Sequence, residues 1–314
     1  MLRYAIAFDI DGVLLKGNQI IGSVKKILQE LNNKSVPYVL VTNGGGKTEK
    51  KKAEDVSSLL GINIPKESMI LSHTPITYSS LHKNDNILLV GRNYNHMVHI
   101  MNNYGFKNIV TCDDFHNHYP NIYPNSIPHN NVENVLDNNK VHIIKNIKSI
   151  VSLTDPIYWG RELQICCDVL RSDGNIKNRV DEQKVTFHNS MLDFEYYYDF
   201  MYPRLGSGSF SYALEMIYKR LTEKELKQTL YGKPNLITYK YIENKFPYID
   251  RFFMIGDNPK TDIKGANNAS DKWKSILVKT GMYNGEDIID KNEMPHYICK
   301  DIEEAWKYIQ DNIS

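Results

Sequence analysis

Tyr4-Ala5-Ile6-Ala7-Phe8-Asp9-Ile10-Asp11-Gly12-Val13 is the stretch that decides the interpretation of this 314-residue sequence. An apolar run of about five residues that ends at a turn predicts a buried strand of a parallel sheet. Ligands of such sheets bind beyond the carboxyl ends of the strands, so we expect Asp9 and Asp11 to lie where chemistry takes place. Side chains two residues apart on an extended chain point to one side. Because two carboxylates so close repel each other, the stretch predicts a divalent cation beside them.

The composition excludes several kinds of partner. The 38 basic and 37 acidic residues leave a net charge of +1, so we expect neither nucleic acid nor an anionic membrane as a partner. No apolar run approaches the ~20 residues that would span a bilayer. The four cysteines lack metal-ligand or disulfide spacing, which favours reduced thiols. Because a strand is predicted directly after Met1-Leu2-Arg3, we expect a cytoplasmic protein, or a mitochondrial one if a longer precursor is processed.

Strand and helix patterns alternate along most of the chain. Apolar residues recur at helical spacing from Val24 to Leu31, and a second apolar strand runs over 36–41. The same rhythm starts again at Ile87. It predicts an α/β fold with a Rossmann-like, doubly wound parallel sheet and a second α/β unit. Residues 113–146 are instead rich in Asn, His, Pro and Tyr without periodicity, and we expect a long surface loop there. A basic run at 47–52 is interpreted as the solvated face of a helix.

Four turns, including the acidic stretch, carry the side chains that a phosphoryl-transfer site requires. Each turn alone is more often a helix cap or an ordinary loop. Three of the four follow an apolar strand, however, and together they supply acids, a hydroxyl and a lysine. The residues concerned are Asp9 and Asp11, Thr42 with Asn43 and Gly44, Lys233, and Asp257 with Asp262.

These side chains suggest a division of roles. Asp9 can attack phosphorus as a covalent nucleophile, and Asp11 can donate and then accept a proton, which contributes about 10²–10⁴-fold to a rate. The Thr42 hydroxyl and the peptide N–H groups after it can bind phosphoryl oxygens, while Lys233 offsets negative charge. Hard oxygen ligands that suit Mg²⁺ come from two further acids, Asp257 and Asp262.

In this order, the four turns resemble those of the haloacid dehalogenase-like (HAD) superfamily of phosphatases. The acid two positions after the nucleophile is typical of the phosphatase branch. The gap of about 190 residues between Thr42 and Lys233 resembles an inserted class II cap. Further stretches are similar to subfamily IIA, and within it to the cat-eye-syndrome-critical-region-type branch, a relative of nucleotide and 4-nitrophenyl phosphatases. These stretches are Val41–Gly46, Leu71–Pro75, Asp155–Pro156 with Trp159–Gln164, Pro203–Gly206, and Gly256–Pro259 with Gly265–Asn267.

The resemblance implies both an organisation and an activity. Residues 1–83 and 203–314 would form the HAD-like hydrolase core, and residues 84–202 the α/β cap. The chain would be a Mg²⁺-dependent phosphatase that hydrolyses a small phosphorylated metabolite through an aspartyl phosphate on Asp9. A homodimer is a further expectation, because class II caps of relatives often take part in dimer contacts.

The resemblance also assigns roles residue by residue. The metal ligands would be Asp9, the main-chain carbonyl of Asp11 and Asp257, with Asp262 as a further or supporting acid. The phosphoryl group would be held by Thr42, Asn43, Gly44 and Lys233. Arg92 and Asn189 are candidate substrate contacts in the cap. The chain departs from related class II phosphatases at Asn189-Ser190-Met191, where they carry Asn-Pro-Asp.

Two other functions are compatible with parts of this pattern. A catalytically weak or idle HAD-fold protein could act by binding or as a scaffold, because a fold does not dictate an activity. Bacterial receiver modules also combine an acid cluster, a Thr or Ser and a Lys on a parallel sheet. The large insertion and the Asp-x-Asp-Gly turn disfavour the receiver interpretation.

Overall fold

The computed structural model describes residues 2–124, 138–196, 199–286 and 289–313. The chain divides into two compact units, one formed by residues 1–75 and 232–314 and the other by residues 76–231. Residues 76–83 therefore fall in the second unit although the resemblance assigns them to the core, and so does the segment 203–231. The reason is packing: Phe210 and Leu214 of this segment are buried in the apolar core of the second unit.

The first unit begins with the predicted strand. In chain order, its amino-terminal part contains β1 (Tyr4–Phe8), β2 (Leu15–Lys16), β3 (Gln19–Ile20), α1 (Val24–Asn33), β4 (Tyr38–Val41), α2 (Glu49–Leu60) and β5 (Met69–Ile70). Thr48 caps the start of α2 by accepting a hydrogen bond from the N–H of Lys51. Gly61 ends the same helix with a left-handed φ of 63°, a conformation that glycine adopts without strain.

The second unit repeats the alternation of strand and helix. Its elements are β6 (Ile87–Val90), α3 (Tyr94–Asn103), β7 (Ile109–Thr111), α4 (Cys112–His118), α5 (Asn138–Ile144), β8 (Ser149–Ser152), α6 (Trp159–Leu170), β9 (Thr186–Asn189), β10 (Glu195–Tyr196), β11 (Arg204–Leu205), α7 (Ser207–Thr222) and β12 (Gln228–Leu230). Five of the described strands form a parallel sheet in the order β12-β9-β8-β6-β7. Strands β10 and β11 pair separately as an antiparallel hairpin.

The predicted loop over 113–146 is wrong at both of its ends. Helix α4 starts with a capping box, in which Thr111 and Asp114 satisfy each other's backbone N–H groups. Helix α5 ends in two buried isoleucines, Ile143 and Ile144. Burial of these isoleucines stabilises α5, and burial of Phe115 stabilises α4, despite the polar composition of the segment. Residues 125–137, in the middle of the predicted loop, lie outside the described residues.

The chain then returns to the first unit. The remaining elements are α8 (Leu236–Lys245), β13 (Arg251–Gly256), α9 (Lys264–Asn268), β14 (Trp273–Val278), β15 (Tyr297–Cys299) and α10 (Ile302–Asn312). Six of the described strands form a parallel sheet in the order β15-β14-β13-β1-β4-β5. This confirms the predicted parallel sheet with flanking helices.

Strand β1 occupies an interior position of this sheet, between β13 and β4. Its side chains alternate between two apolar cores: Ile6 and Phe8 belong to one, and Ala5 and Ala7 to the other. Alternation with period two is what a strand with helices on both faces requires. Because full burial of a large apolar side chain is worth about 1.5–3 kcal/mol, β1 is held firmly and its carboxyl end is a rigid support.

Two further findings concern the chain as a whole. Among the described residues, we find no helix that combines the length and the apolar character needed to cross a bilayer. The four cysteines are buried, free thiols, as their spacing predicted.

Candidate active site

Three neighbouring strands of the first unit end in predicted site residues. Asp9 follows β1, Thr42 follows β4, and Asp257 follows β13. The N–H of Asp9 continues the pairing of β1 with β13 by donating to the carbonyl of Ile255 over 2.9 Å. Since the strands are parallel, their carboxyl ends meet at one edge of the sheet, and the three side chains are gathered there.

Lys233 joins two of the acids. Its Nζ lies 2.7 Å from Asp9 Oδ1 and 2.6 Å from Asp262 Oδ1, and it donates a further hydrogen bond of 3.0 Å to the carbonyl of Val41. Burial by itself would lower the pKa of Lys233, but the charges of Asp262 and Asp9 outweigh it and raise that pKa above its usual value. The lysine is therefore a fixed positive charge beside Asp9.

Three carboxylates converge at this edge of the sheet. Oxygen atoms of Asp9, Asp257 and Asp262 all lie within 4.8 Å of one another. Burial raises the pKa of both Asp257 and Asp262, and the charge of Asp9 adds to the effect. Carboxylate oxygens are the ligands that Mg²⁺ and Ca²⁺ prefer. The donor set thus fits a hard divalent cation, which would offset the repulsion among the acids.

The surroundings of Asp257 fix the position of its carboxylate. Its Oδ2 accepts a hydrogen bond of 2.6 Å from the N–H of Met282. A Cβ atom added at Gly12 or at Gly281 would collide with the same oxygen. Gly12 also has a φ of +80°, which a larger residue adopts only with strain. Both loops therefore need glycine in order to pass this close to the acid.

Asp11 is exposed and does not belong to the carboxylate cluster. Although the residue as a whole is exposed, partial burial of its carboxyl raises the pKa of Asp11, and the charge of Lys52 on α2 opposes this effect. A carboxyl with a raised pKa is protonated more often at neutral pH, as a general acid must be. Lys52 belongs to the basic run at 47–52, for which the sequence predicts a solvated helix face. In the structure, however, Lys52 is half-buried.

Two family models match the chain. A haloacid dehalogenase-like hydrolase model covers residues 6–107, and a HAD-hydrolase-like model covers residues 230–305. The chain belongs to the haloacid dehalogenase-like hydrolases. Their sequence models thus include the turns that carry Asp9, Thr42, Lys233 and Asp257.

Two relatives agree with this membership. The hydrolase is 30% identical over 321 residues to a cardiolipin synthase/mitochondrial hydrolase fusion protein of Schizosaccharomyces pombe, covering 97% of this chain and 52% of the relative. It thus spans about half the length of that relative. It is also 30% identical over 343 residues to a mitochondrial hydrolase of Saccharomyces cerevisiae, covering 96% of this chain and 94% of the relative.

Among solved structures, a hypothetical protein of Pyrococcus horikoshii is 26% identical, with a TM-score of 0.73 and coverage of 98% of this chain and 100% of that one. A 4-nitrophenylphosphatase of Thermotoga maritima shares the fold at 21% identity, with a TM-score of 0.70 and coverage of 98% and 97%.

The turn after β4 brings the Asn43 side chain against the backbone of Lys233. In this hydrolase the Asn43 side chain forms two hydrogen bonds to the backbone of Lys233, through Nδ2 to its carbonyl at 2.8 Å and through Oδ1 from its N–H at 2.7 Å. The N–H of Gly44 donates to Thr42 Oγ1 over 3.0 Å. Asn43 is therefore placed to position Lys233, and a direct phosphoryl contact through its amide stays a prediction.

The two predicted substrate contacts, Arg92 and Asn189, lie in the second unit of the hydrolase. The guanidinium of Arg92 is half-exposed and lies 3.6 Å from Asp155 Oδ2. Asn189 is buried; its Nδ2 donates to Ser211 Oγ over 2.8 Å and its Oδ1 accepts from the N–H of Met191 over 3.3 Å. Both polar atoms of this amide are thus engaged within the unit, which disfavours Asn189 as a substrate contact.

Sequence reasoning missed the loop after β14. Thr280 Oγ1 donates to the carbonyl of Gly12, and the next two residues, Gly281 and Met282, form the contacts to Asp257 described above. A glycine three residues after the end of an apolar strand was the available signal, since Gly12 lies four residues after the end of β1. Its interpretation needs the knowledge that the ends of β14 and β1 lie at one edge of the sheet.

Proposed function

We propose that this hydrolase is a Mg²⁺-dependent phosphatase that hydrolyses a small phosphorylated metabolite through an aspartyl phosphate on Asp9. The observation that supports it best is the position of Asp9 itself. Its carboxylate stands at the end of an interior strand, is paired with a buried lysine, and lies within 4.8 Å of the oxygens of Asp257 and Asp262. Family membership supports the same chemistry.

The first chemical step would transfer the phosphoryl group to Asp9. A carboxylate oxygen of Asp9 attacks phosphorus, and the ester bond between phosphorus and the leaving oxygen breaks. Asp11, whose pKa is raised by burial of its carboxyl, would donate a proton to the leaving oxygen. The alcohol then departs, and Asp11 is left as a carboxylate.

The second step would release phosphate. A water molecule gives its proton to the Asp11 carboxylate while its oxygen attacks phosphorus, and the bond between phosphorus and Asp9 breaks. Inorganic phosphate leaves, with Asp9 and Asp11 restored to their first states. Throughout both steps, the Lys233 ammonium would offset the charge of the phosphoryl oxygens, and the Thr42 hydroxyl would donate a hydrogen bond to them. Catalysis then consists mainly of positioning and charge stabilisation.

A divalent cation fits the donor set. Asp9, Asp257 and the main-chain carbonyl of Asp11 would hold Mg²⁺, which supplies positive charge that attracts the phosphoryl oxygens. Asp262 is suited to a supporting role instead, because its Oδ1 pairs with Lys233 and its Oδ2 accepts from the N–H of Asn258 over 3.1 Å. We therefore assign Asp262 to the positioning of Lys233.

The experiment is hydrolysis of 4-nitrophenyl phosphate with and without Mg²⁺, for the wild type and for Asp9→Asn. We expect turnover only with the metal, and its loss in the variant. Asp250→Asn is the matched control, since Asp250 is an exposed acid whose partner is the exposed Arg3. Absence of metal-dependent turnover, or an Asp9→Asn protein as active as the wild type, would contradict the proposal.

A weak or idle binding protein is the second candidate. The observation in its favour is the Asn189-Ser190-Met191 sequence, with Asn189 buried and hydrogen-bonded inside its own unit. In that case, the wild type would bind inorganic phosphate with Mg²⁺ but hydrolyse no ester of a metabolite panel.

A mitochondrial location is part of the proposal. The two relatives described above carry the words mitochondrial hydrolase in their names, which favours the mitochondrial alternative over the cytoplasmic one. Fractionation of cells that express the full-length gene product with a carboxyl-terminal tag tests this point. Recovery of the tag in the cytosolic fraction alone would contradict it.

A further inference from the structure

The second unit contains a crevice of about 440 Å³ that no part of the proposed chemistry uses. Its walls come from residues 91–96, which follow β6, from the start of α6, and from Asp113 at the start of α4. It therefore lies beyond the carboxyl ends of the parallel strands β6 and β8.

The order of the strands creates a topological switch point at this crevice. The chain passes from β6 to its neighbour β7 and then returns to β8 on the opposite side of β6. Connections therefore leave β6 and β8 toward different sides. Such a topological switch point opens a crevice between the two strand ends, and open α/β sheets bind their ligands there.

A buried arginine lines the crevice. Arg161 is 3% exposed, and its Nη2 binds Asp113 Oδ1 at 2.7 Å and Glu162 Oε1 at 2.8 Å. Its Nε and the Oε2 of Glu162 have no hydrogen-bond partner within the part of the chain that the structure describes. Because a buried polar atom without a partner is unfavourable, this arrangement points to a missing ligand that offers an acceptor to Arg161 Nε and a donor to Glu162 Oε2.

The charges of the crevice favour an anion. Helices α3 and α6 both begin at its wall, and neither start has a side-chain cap among the described residues, so each brings first N–H groups without a side-chain acceptor and a positive dipole end to this wall. Glu162 Oε1 binds Arg161 and accepts a hydrogen bond of 3.2 Å from the hydroxyl of Tyr94. The Asp113 side chain is 54% exposed, so an incoming anion can replace it on Arg161.

We propose that this crevice binds the phosphate or carboxylate group of a small metabolite, held by Arg161, Arg92 and the first N–H groups of α3 and α6. The proposal is independent of the phosphatase proposal, since it involves neither Asp9 nor the carboxylate cluster. It assigns to the second unit a ligand site of its own.

The test is a titration of the full chain, followed by NMR at the backbone amides and at the arginine Nε–H groups. The probes are inorganic phosphate and succinate, without Mg²⁺, which distinguish the two anion classes. We expect saturable shifts at residues 92–96, at 159–162 and at the Nε–H of Arg161, with at least one probe. Shifts confined to residues 42–44, or none with either probe, would overturn the proposal.

Substitutions sharpen the test. Asp113→Asn removes the competing carboxylate, so we expect affinity for the probe to rise about two- to fivefold, the range of an exposed ion pair. Arg92→Gln should weaken binding by a similar factor. Arg179→Gln is the matched control, since Arg179 is equally exposed and pairs with Asp168 on the same unit. If Asp113→Asn binds the probe as weakly as the wild type or more weakly, the Arg161–Asp113 ion pair is purely structural and the proposal is overturned.

Discussion

The ammonium group of Lys233 lies 2.6 Å from Asp262 Oδ1, and both side chains are buried. The same ammonium binds Asp9, so one lysine is shared between the proposed nucleophile and Asp262, whose Oδ2 accepts from the N–H of Asn258. A buried charge is tolerated only when it is paired. Lys233 is therefore as much a structural element of the site as a catalytic one.

Replacement of Lys233 by methionine is expected to affect both stability and rate. The free energy of unfolding should fall by about 3–5 kcal/mol, because Asp262 is left as an unpaired buried acid. The kcat for 4-nitrophenyl phosphate should fall by at least about 10²-fold, as for loss of a charge-stabilising group. Urea unfolding and steady-state kinetics measure the two effects.

Lys300→Met serves as the control for this substitution, because Lys300 forms an exposed ion pair with Asp301. Its stability and kcat should be close to those of the wild type. A Lys233→Met protein with native stability and unchanged kcat would contradict the role assigned to the lysine.

Asp11→Asn should slow hydrolysis to a degree that depends on the leaving group. Nitrophenolate leaves without a proton, whereas an alkyl alkoxide needs one from Asp11. We expect kcat to fall about 10²–10⁴-fold for glycerol 3-phosphate and by a smaller factor for 4-nitrophenyl phosphate. Equal losses for both esters would argue against Asp11 as the general acid.

Metal affinity should depend on Asp257. Chelation with EDTA is expected to abolish turnover, and added Mg²⁺ to restore it. Asp257→Asn should raise the Mg²⁺ concentration for half-maximal activity by at least about tenfold. Loss of a residue that only supports a metal ligand already lowers metal affinity by that factor. A Mg²⁺ requirement equal to that of the wild type would exclude Asp257 as a ligand.

Two glycines of the first unit allow a matched comparison. Both Gly12 and Gly17 have positive φ angles, of +80° and +62°, but only at Gly12 would a Cβ atom collide with Asp257. Gly17→Ala should cost about 1 kcal/mol of stability with normal kcat. Gly12→Ala should add a loss of activity of at least about tenfold, because a displaced carboxylate disturbs metal binding. Similar kcat values for the two variants would show that the Gly12 contact has no catalytic importance.

The parallel sheet and the four turns could be predicted because both depend on short-range patterns. Strand β1 is a continuous apolar run. Asp9 follows it directly, and Asp11 comes two residues later. The salt bridge of Lys233 with Asp262 could not be predicted, since it joins residues from a turn and a helical segment whose packing no local pattern encodes. The contact of the Asn43 amide with the Lys233 backbone could not be predicted for the same reason, since the two residues are 190 positions apart in sequence.

The structure differs from the sequence predictions at the boundary between the two units and in the loop expected over 113–146, and the two differences have different causes. The apolar stripe of α7, with Phe210 and Leu214, predicts a helix correctly but does not tell which sheet the helix covers. The segment after β7 did carry a signal, since Thr111 and Asp114 have the spacing of a capping box, and the polar composition around it obscured that signal. Strands β5 and β15 are too short, at two and three residues, for an apolar pattern to indicate them.

His188 should make the second unit sensitive to acid. Burial lowers the pKa of this histidine to about 4, while an unfolded histidine titrates near 6.5. Between these two values, the unfolded chain binds a proton that the folded chain does not, so stability is fully present above pH 6.5 and falls as pH decreases toward 4. From pH 7 to pH 5, this single group should remove about 2 kcal/mol of stability.

His188→Gln is expected to be less stable at pH 7, because Nδ1 loses its 2.6 Å contact with the Tyr231 hydroxyl, and to lose less stability on acidification. Hydrogen exchange of the amides in β9, expressed as protection factors at pH 7 and pH 5, measures the local unfolding free energy. His99→Gln, at an exposed position on α3, should retain the wild-type pH dependence. If His188→Gln loses as much protection on acidification as the wild type, the acid sensitivity of this unit arises from other groups.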